Sequence, residues 1–191
     1  MTRIVAGRAG GRRLKVPSRG TRPTSERVRE ALFNALEAGG ELRDARVLDL
    51  YAGSGALGLE ALSRGASEAL FVEADRKAVR VLRENVAEVG LGGWVRAGNV
   101  EMVLAHESPA APFDIVFADP PYVLDGARIS AMLTSLAKGG WIVDDGLVVL
   151  ERSTRDSEPD WPRGYELIRS MRHGDTVMYW AEYVTSAGRE G

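Results

Sequence analysis

Short apolar runs alternate along the chain with segments in which apolar residues recur every three or four positions. The runs predict strands and the spaced segments predict helices. The predicted strands are Arg46–Leu50, Glu68–Glu73, Trp94–Ala97, Phe113–Ala118 and Gly146–Glu151. The predicted helices are Ala56–Arg64, Arg76–Val89, Glu101–His106 and Ala127–Ala137. This alternation indicates an α/β fold, with helices on both faces of a mostly parallel sheet.

The two ends of the chain depart from this pattern. Thr2–Ala6 and Arg12–Val16 predict two short strands that form an N-terminal hairpin around a glycine-rich turn. A helix follows, for which Thr24 or Ser25 is the expected N-cap. Near the other end, Tyr165–Arg172 and Thr176–Val184 predict an antiparallel hairpin. We therefore expect a hairpin-and-helix extension at 1–39, an α/β domain at 40–185 and a tail at 186–191.

Composition narrows the function. The 191 residues include no cysteine and two histidines, which excludes disulfides and thiolate zinc sites and argues against any metal centre. No apolar run has the roughly 20 residues that a membrane helix needs, so we expect no membrane association. Residues 1–29 carry a net charge of +8, and the remainder carries −10. A basic segment on an acidic body favours a polyanionic partner bound through that segment.

A glycine-rich loop follows the first strand of the α/β domain. Gly53–Gly58 reads GSGALG and lies between a predicted strand and a predicted helix, as in nucleoside-cofactor sites. Glu73 follows Gly53 by 20 residues and is placed to accept hydrogen bonds from ribose hydroxyls. Asp49 suits the ammonium group of S-adenosylmethionine, or it caps loop amides. Asn99 is placed to meet adenine, or to cap the next helix.

Asp119–Tyr122 reads DPPY and follows the fourth strand of the domain. Two prolines fix the backbone, so the Asp119 carboxylate and the Pro120 carbonyl can act together as acceptors. Two acceptors suit the NH₂ group of an aromatic base, whose lone pair they orient toward a methyl donor. Tyr122 can stack on the base.

These motifs resemble those of the S-adenosylmethionine-dependent amino-methyltransferases. The N-terminal segments Arg3–Gly7, Gly11–Leu14, Arg22–Thr24 and Arg27–Asn34 resemble the RsmD family, which methylates guanine N2 in 16S ribosomal RNA. The resemblance implies a Rossmann-like class I methyltransferase fold, S-adenosylmethionine as cofactor and a bacterial cytoplasmic location. It further implies the small ribosomal subunit, or an assembly intermediate of it, as the partner, and we expect a monomer. Asn99 departs from the aspartate common in such enzymes.

The residues and the resemblance together nominate three sets of site residues. The expected catalytic residues are Asp119, Pro120, Pro121 and Tyr122. The expected cofactor-binding residues are Asp49, Tyr51, Ala52, Gly53, Ser54, Gly55, Glu73, Ala74, Asn99, Val100 and Asp119. The expected RNA-binding residues are Arg8, Arg12, Arg13, Arg22, Thr24, Arg27, Arg29 and Tyr122, and of these Arg22 and Thr24 can also line the cofactor site.

Three other functions compete with guanine-N2 methylation. Adenine-N6 methylation of DNA or RNA uses the same DPPY chemistry, but the chain has no dedicated target-recognition domain. A nicotinamide dehydrogenase explains the glycine loop but not Asp49, DPPY or the basic segment. A non-catalytic ribosome-assembly factor leaves Asp119 and the glycines unexplained.

Overall fold

In a computed structural model, which describes residues 1–18, 24–109 and 111–185, the chain divides into two units, Met1–Asn99 and Val100–Gly191. The expected boundaries at residues 39 and 185 stay predictions. The expected tail 186–191 and Arg22 lie outside the described residues.

The first unit holds two short strands, three helices and a parallel sheet. Its elements are β1 (Thr2–Arg3), β2 (Arg13–Leu14), α1 (Glu26–Ala38), β3 (Arg46–Leu50), α2 (Ala56–Ser63), β4 (Glu68–Glu73), α3 (Arg76–Val89) and β5 (Trp94–Ala97). β1 and β2 pair antiparallel, which confirms the N-terminal hairpin. β5, β4 and β3 lie side by side in that order and run parallel.

Strand β3 is buried along most of its length, as its near-continuous apolar sequence predicts, β4 is buried at alternate and central positions, and β5 is half-buried to exposed. Leu48 and Leu70 are partners across β3 and β4, and Asp49 is the partner of Phe71. Leu48 and Phe71 are both fully buried. Burying such side chains contributes about 1.5–3 kcal/mol each. The polar Asp49 therefore lies among apolar side chains, where burying its carboxyl group costs free energy unless a partner compensates for the lost water.

Short polar side chains begin the helices, as local hydrogen bonding predicts. The Ser25 side chain accepts a hydrogen bond from the N–H of Val28, which resolves the N-cap of α1 in favour of Ser25. Asp75 caps α3 in the same way, and Gly90 ends that helix at φ = 68°. A positive φ favours glycine because it has no Cβ.

The second unit holds two helices, two parallel strands and a C-terminal hairpin. Its elements are α4 (Val100–Leu104), β6 (Phe113–Ala118), α5 (Gly126–Lys138), β7 (Ile142–Ser153), β8 (Tyr165–His173) and β9 (Thr176–Tyr183). β6 pairs parallel with β7, and β9 pairs antiparallel with both β7 and β8. The predicted α/β class, mostly parallel strands and C-terminal antiparallel hairpin are confirmed.

Strand β7 is longer than predicted. It runs over Ile142–Ser153 instead of Gly146–Glu151, although Asp144 and Asp145 are exposed and polar. The register between β6 and β7 shifts between Phe113 and Ile115, and Asp145 has φ = 62°. This irregularity lets polar residues occur inside a paired strand. The first third of β7 therefore lacks the apolar run by which the sequence analysis recognised strands.

Candidate active site

The glycine loop turns sharply directly after β3. Tyr51, Gly53 and Gly55 have φ values of 58°, 56° and 82°. The N–H of Gly55 donates to the Ala52 carbonyl oxygen at 2.8 Å and closes the turn. A Cβ on Gly55 would lie 2.5 Å from Leu82 Cδ1, whereas a Cβ on Gly53 would meet open space. The loop is thus packed against α3 on one side and open on the other, as a cradle for a ligand requires.

Asp49 lies beneath this loop and is 1% exposed. Its Oδ2 accepts a hydrogen bond from the N–H of Gly58, in the first turn of α2, at 2.9 Å. Burial raises the pKa of Asp49 from 3.8 to about 8, against the lowering effect of the Gly58 hydrogen bond and with a further rise from Glu73. Asp49 therefore caps a loop amide, which is one of its two predicted roles. A buried carboxylate is also suited to a cationic ligand group, which offsets the cost of burying the charge.

Glu73 ends β4 and ties the loop to that strand. Its Oε2 accepts from the N–H of Gly53 at 2.8 Å, and its Oε1 accepts from the N–H of Asp75 at 2.9 Å. Each carboxylate oxygen has two lone pairs, so both retain capacity for a hydroxyl donor. The ribose role predicted for Glu73 is compatible with this position and remains a prediction.

The other residues of the first unit that are predicted to bind the cofactor differ in their exposure. Tyr51, Ala52 and Gly53 are half-buried, Ser54 and Gly55 are buried, and Ala74 and Asn99 are exposed. In the second unit, Val100 is 3% exposed as the first residue of α4, so a ligand contact there would involve its backbone. Among the described parts of the chain, no group of three or more His, Cys, Asp or Glu could hold a metal ion.

The DPPY segment of the second unit forms a fixed turn after β6. Asp119 and Pro121 are half-buried, Pro120 is buried, and Tyr122 is 65% exposed. The N–H of Leu124 donates to the Pro121 carbonyl oxygen at 2.9 Å. The buried Arg152 donates to the Leu124 carbonyl oxygen at 2.9 Å. These two hydrogen bonds fix the turn within the second unit. They leave the Tyr122 side chain exposed, as the predicted stacking requires.

The arginines predicted to bind RNA fall into different environments. Arg8 donates to the Leu62 carbonyl oxygen at 3.3 Å, and Arg12 donates to the Glu88 carbonyl oxygen at 2.5 Å, though both remain exposed. Arg13 and Arg27 are exposed, and their side chains make no hydrogen bond or ion pair with another described residue. Thr24 is half-buried.

Arg29 does not fit its predicted role. It is fully buried, and it donates to Thr2 Oγ1 at 2.7 Å and lies 3.4 Å from Glu60 Oε2. A side chain in that position has no access to an RNA phosphate, so its assignment as an RNA contact is wrong. The sequence carried a signal: Arg29 lies on the helical stripe of Leu32, Phe33 and Leu36, all buried in α1.

Sequence reasoning missed a buried polar cluster that attaches the hairpin to α2. Glu60 is fully buried, and it accepts hydrogen bonds from the N–H groups of Val5 and Ala6 at 2.8 and 3.1 Å. It also accepts from Arg64 Nε at 2.8 Å. The available signal was a glutamate within the otherwise apolar run of α2.

Comparison with known proteins identifies the family. The chain matches the family described as Conserved hypothetical protein 95 over residues 2–182. It is 39% identical to Ribosomal RNA small subunit methyltransferase D of Escherichia coli K12 over 176 residues, covering 92% of this chain and 86% of that one.

Solved structures agree with this assignment. The Escherichia coli protein yhhF superimposes with a TM-score of 0.84 at 35% identity, covering 96% of this chain and 98% of that one. An RNA methyltransferase of Salinibacter ruber, solved with S-adenosylhomocysteine, shares the fold at a TM-score of 0.64 and 18% identity, covering 86% of this chain and 95% of that one. The dehydrogenase and non-catalytic alternatives are thereby set aside. The chain belongs to the RsmD family and is a Rossmann-like class I enzyme that uses S-adenosylmethionine to methylate ribosomal RNA.

Proposed function

We propose that the enzyme methylates the N2 amine of a guanine in the 16S RNA of the small ribosomal subunit, and that it works as a cytoplasmic monomer. The observation that supports this proposal most directly is the fixed turn, which contains the half-buried Asp119 and the exposed Tyr122. A relative 39% identical over 92% of this chain is named for the small subunit, which supports this partner.

The cofactor site is assigned to the open side of the glycine loop. Asp49 would hold the methionine ammonium, Glu73 would accept from the ribose hydroxyls, and Asn99 would meet the adenine edge. The backbone of Tyr51–Gly55 would line the same surface, and Ala74 and Val100 are the remaining expected contacts. When bound, S-adenosylmethionine supplies an electrophilic methyl group on a sulfonium.

Asp119 and the Pro120 carbonyl would act on the target amine. The lone pair of an exocyclic guanine amine is delocalised into the ring, which makes the amine a poor nucleophile. Two acceptors that bind its two hydrogens orient the lone pair away from the ring plane and toward the methyl carbon. The amine nitrogen would take up the methyl group that the bound cofactor supplies, S-adenosylhomocysteine would be the leaving group, and the extra proton of the amine would pass to water. Tyr122 would stack on the base and hold it in place.

The N-terminal hairpin and α1 would supply the RNA contacts. Arg13 and Arg27 are the strongest candidates, because both are exposed and neither side chain makes a hydrogen bond or an ion pair with another described residue. Arg8 and Arg12 retain exposed guanidinium groups and would add to the same field. Each arginine that neutralises a phosphate releases a counterion, so binding should weaken steeply with salt.

Transfer of labelled methyl from S-adenosylmethionine tests this proposal on three substrates: unmodified small subunits, naked 16S RNA and duplex DNA. We expect small subunits to be the preferred substrate. Preferential methylation of duplex DNA would instead support the adenine-N6 alternative.

Asp119→Asn should lower kcat by roughly 10²-fold or more while the cofactor KM changes by no more than a few-fold. Asp114→Asn, the same substitution within β6, is the matched control and should keep normal turnover. Equal kcat for the two variants would remove Asp119 from the mechanism.

A further inference from the structure

Asn85 lies in the middle of α3 and is 2% exposed. Its Oδ1 accepts a hydrogen bond from the N–H of Lys15 at 2.9 Å. Its Nδ2 donates to the carbonyl oxygens of Lys15 at 2.9 Å and of Ser54 at 2.8 Å. One buried side chain thus binds two backbone segments that are 39 positions apart in the sequence.

These three bonds fix the orientation of the side-chain amide. In the opposite orientation, the NH₂ group would face the Lys15 N–H and the oxygen would face two carbonyl oxygens. Asparagine is a poor helix former in a helix interior, so its place in α3 is explained by these contacts and not by helix propensity.

The two segments bound by Asn85 belong to the two halves of the proposed function. Lys15 directly follows β2 of the N-terminal hairpin, and Ser54 lies between Gly53 and Gly55 of the cofactor loop. Leu82, one turn earlier on the same face of α3, supports that loop at Gly55. The helix therefore holds the hairpin and the loop with adjacent side chains.

A second attachment joins the segment that follows β1 to helix α2. The N–H groups of Val5 and Ala6 donate to Glu60 in α2, and α2 begins at the end of the cofactor loop. Both strands of the hairpin are consequently fixed to elements that shape the loop. Of these attachments, Asn85 is the one that contacts the loop backbone itself.

We propose that Asn85 is a positioning residue that couples the N-terminal hairpin to the cofactor loop, so that RNA binding and cofactor binding strengthen each other. The inference rests on the proposed role of the hairpin in RNA binding. A ligand that orders the loop fixes the Ser54 carbonyl, and through Asn85 it fixes the hairpin at Lys15. Linkage makes the effect reciprocal.

Equilibrium dialysis of labelled S-adenosylhomocysteine, with and without saturating unmodified small subunits, measures this coupling. For the wild type we expect binding about five-fold or more tighter when subunits are present. Asn85→Ala should bring the ratio close to one. Glu84→Gln is the matched control: it breaks the Lys15–Glu84 ion pair but leaves the backbone bonds of Lys15 intact, so the ratio should stay as in the wild type.

Two further variants separate the explanations. Val89→Ala removes buried volume from the same helix but none of the three Asn85 hydrogen bonds, so it controls for simple loss of stability. A wild-type ratio in Asn85→Ala, or the same loss of ratio in Val89→Ala, would overturn the coupling role. Failure of the underlying RNA assignment has a different signature: Arg13→Glu would then leave subunit affinity unchanged, whatever the ratio.

Discussion

Replacing Asp49 by asparagine should stabilise the protein without cofactor at neutral pH and weaken cofactor binding. The substitution keeps the size of the side chain and an oxygen that can accept the Gly58 N–H, but removes the charge. Two opposite effects are expected because the buried carboxylate is costly to the folded chain and useful to a cationic ligand.

The magnitude follows from the pKa of Asp49, which burial raises from 3.8 to about 8. Between these values the folded chain holds a proton that the unfolded chain has lost, so stability falls as pH rises and levels off above the folded pKa. At about 1.4 kcal/mol per unit, this loss is at most about 4 kcal/mol at pH 7. The new amide N–H groups cost about 1–2 kcal/mol if unpaired. The net gain is therefore about 2 kcal/mol at pH 7.

The sign of the effect should reverse with pH. Near pH 3, below the unfolded-state pKa of 3.8, the wild-type carboxyl is mostly protonated in both states, so only the amide cost remains and the variant should be less stable by about 1–2 kcal/mol. Urea unfolding across this range measures the crossover. Asp75→Asn, at the exposed N-cap of α3, is the control and should show no crossover.

Cofactor binding provides the second readout. The wild type should release close to one proton on binding S-adenosylmethionine at pH 7, because the cationic ammonium favours the ionised carboxylate. Calorimetry in two buffers of different ionisation enthalpy measures this release, which Asp49→Asn should abolish together with roughly 10-fold or more in affinity. Unchanged proton release and affinity in the variant would refute the ammonium role of Asp49.

Three other substitutions test separate parts of the structure. Arg13→Glu combined with Arg27→Glu should raise the KM for small subunits and reduce its salt dependence, since two phosphate contacts are lost; an unchanged KM would show that the hairpin does not bind RNA. Glu60→Gln should lower the free energy of unfolding by about 3–5 kcal/mol, because the buried Arg29 loses its ion pair with Glu60 and Arg64 keeps only its ion pair with Glu37; denaturant midpoints equal to the wild type would contradict that role. Tyr122→Ala should reduce kcat/KM for subunits by roughly 10- to 100-fold with little effect on stability, since stacking contributes about 1–3 kcal/mol per base; full activity in this variant, or no recovery in Tyr122→Phe, would exclude stacking.

The sequence predicted the elements of the fold well wherever a single apolar run marked a buried strand. The bounds of β3, β4, β5 and β6 coincide with the predicted ones. The length of β7 was underestimated, because the exposed Asp144 and Asp145 interrupt its apolar sequence where the pairing with β6 changes register. Short-range chemistry also predicted an N-cap at Thr24 or Ser25, of which Ser25 is the cap, since a cap involves neighbours three residues apart.

Long-range polar contacts were beyond sequence reasoning. Glu60 meets Val5 across 55 positions, and Asn85 meets Lys15 across 70. Nothing in the local pattern around either partner specifies the other. Arg29 illustrates the error that follows: charge alone assigned it to a surface, while its helical position and Glu60 bury it. The net charge of a segment thus predicts a class of partner, but not which side chains are free to bind it.

The identity of the methylated nucleoside tests the central claim most directly. Unmodified small subunits would be incubated with the enzyme and S-adenosylmethionine, digested to nucleosides and analysed by mass spectrometry beside the Asp119→Asn variant. The account predicts N2-methylguanosine from the wild type and a strongly reduced amount from the variant. N6-methyladenosine as the product, or N2-methylguanosine in equal amounts from both proteins, would contradict it.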